Sequence, residues 1–357
     1  MFNFETFKDI DLYNFKNTEK NKIFINLIKK LTIHHFKKCQ KYNSILKSTK
    51  FKIGNISSIY DVPYLPVRLF KSFELRSIKK KNIFKILRSS GTTGQITSKI
   101  YLDKTNAINQ VKVLNKITSE VLGKKRMPML IIDTEAILKD KSKISARTAA
   151  INGFSIFGKN HTFALDEKMN LQIDNVKSFL EKYKNEKVFV FGFTYIIWAY
   201  FYETIRKNNL KINMDNCILV HGGGWKKLNT KMINNEKFKS SLKNNLKLKK
   251  IHNYYGMVEQ TGSIFLECNE GFFHASPFSD IIVRNADLNV CKNKKEGVIQ
   301  LLSLLPTSYP GHSILTDDIG YVEGEDDCSC KKKGKYFKIT KRVSKSDLRG
   351  CSDTFEI

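Results

Sequence analysis

Arginine is scarce in this chain. It accounts for 9 of 62 basic residues, against 34 acidic ones and a formal net charge of +28. Arginine is the side chain suited to bidentate contacts with phosphates and base edges. No arginine-rich stripe or basic helix with interleaved aromatics occurs, so specific nucleic-acid recognition is not expected. The charge reads as a lysine-biased composition that attracts anions such as ATP or an acidic carrier protein. A non-catalytic basic nucleic-acid-binding protein is the alternative from a different class. Long apolar runs are also missing. The longest uncharged one, residues 188–202, is short of the roughly 20 residues a membrane helix needs. The start, Met1-Phe2-Asn3-Phe4-Glu5, lacks the basic and apolar regions of a secretory leader. Seven cysteines without a disulfide-scaffold spacing suit a reducing cytoplasm.

What is present is a globular chain, 41% hydrophobic with 25 phenylalanines. Ile23, Phe24, Leu27, Ile28 and Leu31 recur at helical spacing and predict one or two helices over 18–49. Val62-Pro63 and Leu65-Pro66 then start an extended segment. A helix is expected over 105–122 and strands over 129–132, 187–191, 217–220 and 249–254, with helices to about 207 and over about 230–245. Strands alternating with helices predict a largely parallel α/β sheet, with ligands beyond the carboxyl ends of its strands. From about 271 onward, short strands and turns suggest a β-rich subdomain.

Between strand-like runs at 83–87 and 100–102 lies Arg88-Ser89-Ser90-Gly91-Thr92-Thr93-Gly94-Gln95-Ile96-Thr97-Ser98-Lys99. Gly91 and Gly94 allow positive φ and close approach, and successive N–H groups and hydroxyls can converge on an anion. No Gly-Lys-Ser/Thr follows, so this is not a Walker loop. The plain alternative is a solvated turn. Two further motifs follow, Tyr255-Gly256-Met257-Val258-Glu259 and Leu315-Thr316-Asp317-Asp318-Ile319-Gly320. In this order the three resemble the adenylate-forming superfamily of acyl-CoA synthetases and adenylation domains. Within it the chain is most similar to the LuxE-type acyl-protein synthetases. Leu65-Pro66-Val67-Arg68-Leu69-Phe70-Lys71, His221-Gly222-Gly223-Gly224-Trp225 and Arg349-Gly350-Cys351-Ser352-Asp353 share in the likeness, which runs from about residue 60 to 355.

The resemblance implies an α/β adenylate-forming core, with mixed and parallel sheets flanked by helices, a β-rich subdomain, and no mobile C-terminal domain. It implies an ATP-dependent ligase that makes an acyl-adenylate and passes the acyl group to a protein or carrier-protein thiol. A CoA or carrier-protein ligase in a biosynthetic pathway is the neighbouring alternative. Ser89, Ser90, Gly91, Thr92, Thr93 and Gly94 would cradle the leaving pyrophosphate, with Thr93 among the catalytic groups. Glu259 would bind Mg²⁺, a hard cation that prefers carboxylate oxygen. Gly222, Gly223, Gly224, Tyr255 and Gly256 would flank the adenine or acyl group, Asp318 would bind ribose, and Arg342 would contact ribose or phosphate. Cys351 would accept the acyl group as a thioester, the plain alternative being an incidental thiol. Lys99, Lys338, Lys341 and Lys345 are candidates for the lysine that the absent domain supplies elsewhere in the superfamily.

Cys268, His274, Cys328 and Cys330 form a second set. Three thiols and an imidazole make a tetrahedral zinc set, which would be structural. The alternative is unrelated free cysteines. By motif order the chain divides into a helical cap and lead-in (1–75), an adenylation core (76–340, β-rich from about 271) and a hinge-like tail (341–357) carrying Cys351.

Overall fold

The computed structural model describes residues 2–89, 97–139, 146–224 and 233–343. Two compact units emerge, one built from Met1–Val113 and Val258–Ile357, the other from Leu114–Met257. The expected segments 1–75, 76–340 and 341–357 follow motif order, whereas these units follow compactness.

In the unit Leu114–Met257, apolar strands buried on both faces form a parallel sheet. Its order is Lys250–Tyr255, Cys217–Gly222, Val188–Phe193, Met127–Thr134, Gly158–Leu165. All eight residues of Met127–Thr134 are buried, as parallel strands covered on both faces require. Phe179, Leu180, Ile197, Phe201, Phe238 and Leu242 pack against Leu130, Val190 and Leu219 on one face. After Val188–Phe193 the chain turns directly into helical structure, with a π-helical stretch at Ile197–Tyr202 before Glu203–Lys207. The strand Gly158–Leu165 and helix Ile173–Lys182 carried no expectation from sequence. This strand lies at the sheet edge, and exposed Lys159 and Asn160 interrupt its apolar character.

The other unit holds an antiparallel sheet in the order Ser279–Arg284, Gly297–Ser303, Ser313–Glu325, Lys335–Arg342, Phe273–His274, Phe265–Glu267. Leu65–Pro66 adds to Ser313–Glu325 in parallel, so both prolines of this lead-in bracket or sit in a two-residue strand where few ladder donors are needed. Lys85–Arg88 and Lys99–Leu102 form a separate hairpin. Helices Asn17–Lys38 and Gln40–Ser48 match the expected N-terminal helices. The first is fastened by charge: Lys20 Nζ lies 2.9 Å and Lys335 Nζ 3.0 Å from the two oxygens of Asp280. Burial opposes ionisation of Asp280, and the two ammonium groups overcome it, bringing the carboxyl down to about 2. The chain thus has the expected α/β core of parallel and mixed sheets with a β-rich part. Among the described residues, no helix is long and apolar enough to cross a membrane.

Candidate active site

In the discontinuous unit the hairpin is closed where the Ser/Thr/Gly loop begins and ends. Ser89 N–H donates to the Ser98 carbonyl at 3.2 Å, and Ser98 N–H donates to the Ser89 hydroxyl at 2.9 Å. Ser90, Gly91, Thr92, Thr93 and Gly94 lie outside the described residues. Lys99 pairs with Arg88 across the hairpin and is exposed.

Glu259 sits in the short turn Val258–Gln260 and is 5% exposed. Burial pushes its carboxyl up. The Ser98 hydroxyl, the residue's own N–H and the charges of Lys71 and Arg342 pull the other way. Ser98 is itself fully buried, with its hydroxyl beside the Glu259 carboxylate. A buried carboxylate beside a buried hydroxyl is an oxygen donor set that fits a hard divalent cation carrying its own water or phosphate ligands. The turn is tied to its surroundings by hydrogen bonds. Tyr309 donates its hydroxyl to the Glu259 carbonyl at 2.8 Å, and Gln260 Nε2 donates to Leu301 and Gly311 carbonyls at 3.1 and 2.9 Å. Thr261 donates its hydroxyl to the Val258 carbonyl. It thereby ties the turn instead of standing free.

Asp317 and Asp318 lie on Ser313–Glu325, each facing an arginine. Arg68 Nε is 3.2 Å from Asp317 Oδ1, and Arg342 Nε is 3.9 Å from Asp318 Oδ1. Asp318 pairs with Arg342 across the ladder, so two residues expected to serve one nucleotide are neighbours. Arg68 was part of a resemblance motif but carried no assigned role. The signal that could have found it was its position three residues before Lys71 in a motif otherwise apolar.

In the parallel-sheet unit, the glycine run closes the strand Cys217–Gly222 and continues past its carboxyl end, at the position where α/β sheets bind ligands. A Cβ at Gly222 would come within 2.4 Å of the Tyr254 ring, and one at Gly223, whose φ is +79°, within 2.8 Å of Phe193. A Cβ at Gly224 would meet nothing within 4 Å among the described residues. Two of the three glycines are therefore demanded by the protein's own aromatic rings. His221, next to last in that strand, is fully buried against Phe238, with Nδ1 2.9 Å from the Thr194 hydroxyl. Burial brings its imidazole down to about 3. Tyr255 is half-buried and Gly256 exposed.

The cysteine and histidine set converges. One ligand atom each from Cys268, His274, Cys328 and Cys330 lies within 4.8 Å of all the others. Cys330 Sγ is 3.3 Å from His274 Nε2. The scaffold explains the convergence. A turn closed by Cys268 N–H to the Phe272 carbonyl brings Cys268 round to His274, while a turn closed by Lys331 N–H to the Cys328 carbonyl presents Cys328 and Cys330. Phe272 and Tyr336 wall the cluster. Three sulfurs and one imidazole at these separations fit a tetrahedral ion bound at about 2.3 Å from sulfur. Lys338 stands over the Phe272 ring at 4.8 Å, on this side. Lys345, Arg349 and Cys351 lie outside the described residues.

Comparison with known proteins gives these arrangements a context. The long-chain-fatty-acid–luciferin-component ligase of Aliivibrio fischeri is 24% identical over 362 residues, 94% of this chain and 88% of that protein. The ligase of the same name from Photorhabdus luminescens is 34% identical over 76 residues, 21% of this chain and 65% of that protein. In fold, the chain is similar to 2-hydroxyisobutyryl-CoA ligase captured in the postadenylation state with 2-HIB-AMP. The TM-score is 0.69 at 11% identity, over 93% of this chain and 69% of the other. The family described as acyl-protein synthetase, LuxE, matches residues 6–356. The chain belongs to the LuxE family of acyl-protein synthetases.

Proposed function

We propose that this protein uses ATP to activate a carboxylic acid and transfers the acyl group to a protein thiol. A carboxylate oxygen of the acid attacks the α-phosphorus of ATP. The bond from that phosphorus to the bridging oxygen breaks, and pyrophosphate leaves with the electron pair. A thiolate then attacks the acyl carbonyl, a thioester forms and AMP departs. The observation that carries the reading is the buried Glu259 carboxylate with Ser98, Lys71 and Arg342 about it, in a chain of this family. Magnesium held by Glu259 would neutralise phosphate charge.

The remaining roles rest on the motif likeness. Ser89, Ser90, Gly91, Thr92, Thr93 and Gly94 hold pyrophosphate. Gly222, Gly223, Gly224, Tyr255 and Gly256 receive the base or acyl group, and Asp318 with Arg342 receives the ribose. Cys351 is the first acyl acceptor and a partner protein's thiol the final one. Zinc at Cys268, His274, Cys328 and Cys330 is structural. A reducing cytoplasm suits the free thiols Cys39, Cys217 and Cys291. The family match favours neither the CoA-ligase alternative nor the nucleic-acid-binding one.

The test is ATP–pyrophosphate exchange across a panel of acids. Long-chain fatty acids come first, because the relatives' names specify them. Acid-dependent exchange is expected, and its absence with every acid would sink the reading. Cys351→Ser should keep exchange and lose attachment of a labelled acyl group. Attachment that persists assigns the acceptor to another residue.

A further inference from the structure

We propose that Lys71 is a catalytic residue of the adenylation step, its ammonium contacting the anionic oxygens of the phosphoryl group under attack, with Arg68 fixing the segment that carries it. The inference rests on the adenylation reading above. None of the four lysines considered from sequence (Lys99, Lys338, Lys341, Lys345) is Lys71.

Its geometry is set from both sides. Upstream, Leu65–Pro66 runs parallel to Ile314–Leu315, and Val67 N–H donates to the Leu315 carbonyl at 2.9 Å. Arg68 then meets Asp317, beside Asp318. The chain makes one helical turn, Leu69–Ser72, whose Phe70 is 1% exposed. The Phe70 ring lies edge-on to Tyr309, centroids 6.3 Å apart, and Tyr309 donates to the Glu259 carbonyl. Phe70 thus anchors this turn to the residue that anchors Glu259. Lys71, next in sequence, is exposed, forms no ion pair among the described residues, and lies within electrostatic reach of the Glu259 carboxylate. A lysine so placed keeps its donors for an incoming anion. With Arg342 it supplies positive charge beside the buried Glu259 carboxylate, a preorganised arrangement for charge that develops at phosphorus. Attack at phosphorus spreads negative charge over the phosphoryl oxygens, and Lys71 is positioned to meet it without a proton changing hands.

The experiment compares Lys71→Gln, Lys71→Arg and, as a surface control, Lys81→Gln, in the full-length protein. With the acid that supports exchange in the wild type, Lys71→Gln should lower the exchange rate about 100-fold or more. It should leave the melting temperature and the KM for the acid near wild type. Lys71→Arg should restore part of the loss, and Lys81→Gln should match wild type. Exchange by Lys71→Gln within threefold of wild type would overturn the proposal, as would a melting temperature falling in parallel with activity. If the wild type exchanges with no acid, the adenylation reading fails by itself. Titration with MgATP then still decides Lys71: about tenfold weaker binding by Lys71→Gln keeps it as an anion-binding residue, and equal binding removes it.

Discussion

The Tyr309 hydroxyl donates to the backbone carbonyl of Glu259 at 2.8 Å, across fifty residues of sequence. A Cβ at Gly311 would come within 2.3 Å of the Tyr309 ring and 2.7 Å of the same Glu259 carbonyl, so this glycine is what lets the two segments approach. Tyr309→Phe keeps the ring and leaves a buried carbonyl unsatisfied. It should cost about 1–3 kcal/mol in denaturant unfolding and slow exchange. An unchanged midpoint and rate would mean that the bond does not hold the turn.

Glu259→Gln preserves shape and removes the charge. Exchange should fall by about two orders of magnitude, as for loss of one preorganised electrostatic group, with the fold retained. Asp318→Asn should act on nucleotide affinity, raising the KM for ATP about tenfold, in line with a charged hydrogen bond worth about 1.5–3 kcal/mol. Full exchange by Glu259→Gln would remove it from the metal role.

Purified protein should carry about one zinc per chain, measured by elemental analysis. Cys328→Ser should lower the zinc content and the melting temperature together, because zinc binding contributes to folding. Metal content well under one equivalent in protein purified without chelators would rule out the zinc assignment.

Acid should destabilise the protein before its carboxylates protonate. His35 and His312 stack with centroids 4.8 Å apart, both fully buried. His35 Nε2–H donates to the Pro306 carbonyl at 2.8 Å, so its Nδ1 accepts from the Ser77 hydroxyl. Burial holds both imidazoles below the ordinary 6.5, His312 at about 3, and the neighbouring His34 pushes both further down. The folded state keeps them neutral, while the unfolded chain takes up protons below 6.5. Stability therefore falls as pH drops from 6.5 towards 3, each histidine contributing up to about 1.4 kcal/mol per pH unit. His312→Gln should flatten the slope of melting temperature between pH 7 and 5. A slope equal to wild type would place the proton uptake elsewhere.

The motifs were legible because each is contiguous: hydroxyls and glycines in one loop, Glu259 within one turn, two aspartates on one strand. Apolar periodicity likewise marked the strands around 130, 190 and 220. The edge strand Gly158–Leu165 was not legible, since solvent on one side removes the continuous apolar run. The strand Ser313–Glu325 appeared only in part, because its ends alternate with polar residues. The cysteine and histidine set was legible as one group of donors, and its four ligand atoms do converge; what was not legible is the means, two turns and a strand pair that bring residue 268 to residue 330.

The chain's own order of residues determined the groups on offer: a run of hydroxyls and glycines, a carboxylate within a short motif, a thiol and imidazole set, and strands apolar enough to be buried. Those are local properties of composition and spacing. Folding alone decided which charges meet. Lys71 comes within electrostatic reach of Glu259, Arg68 meets Asp317 and Lys20 meets Asp280. Each pair is separated by well over a hundred residues, and electrostatic energy depends on distance in space, not along the chain.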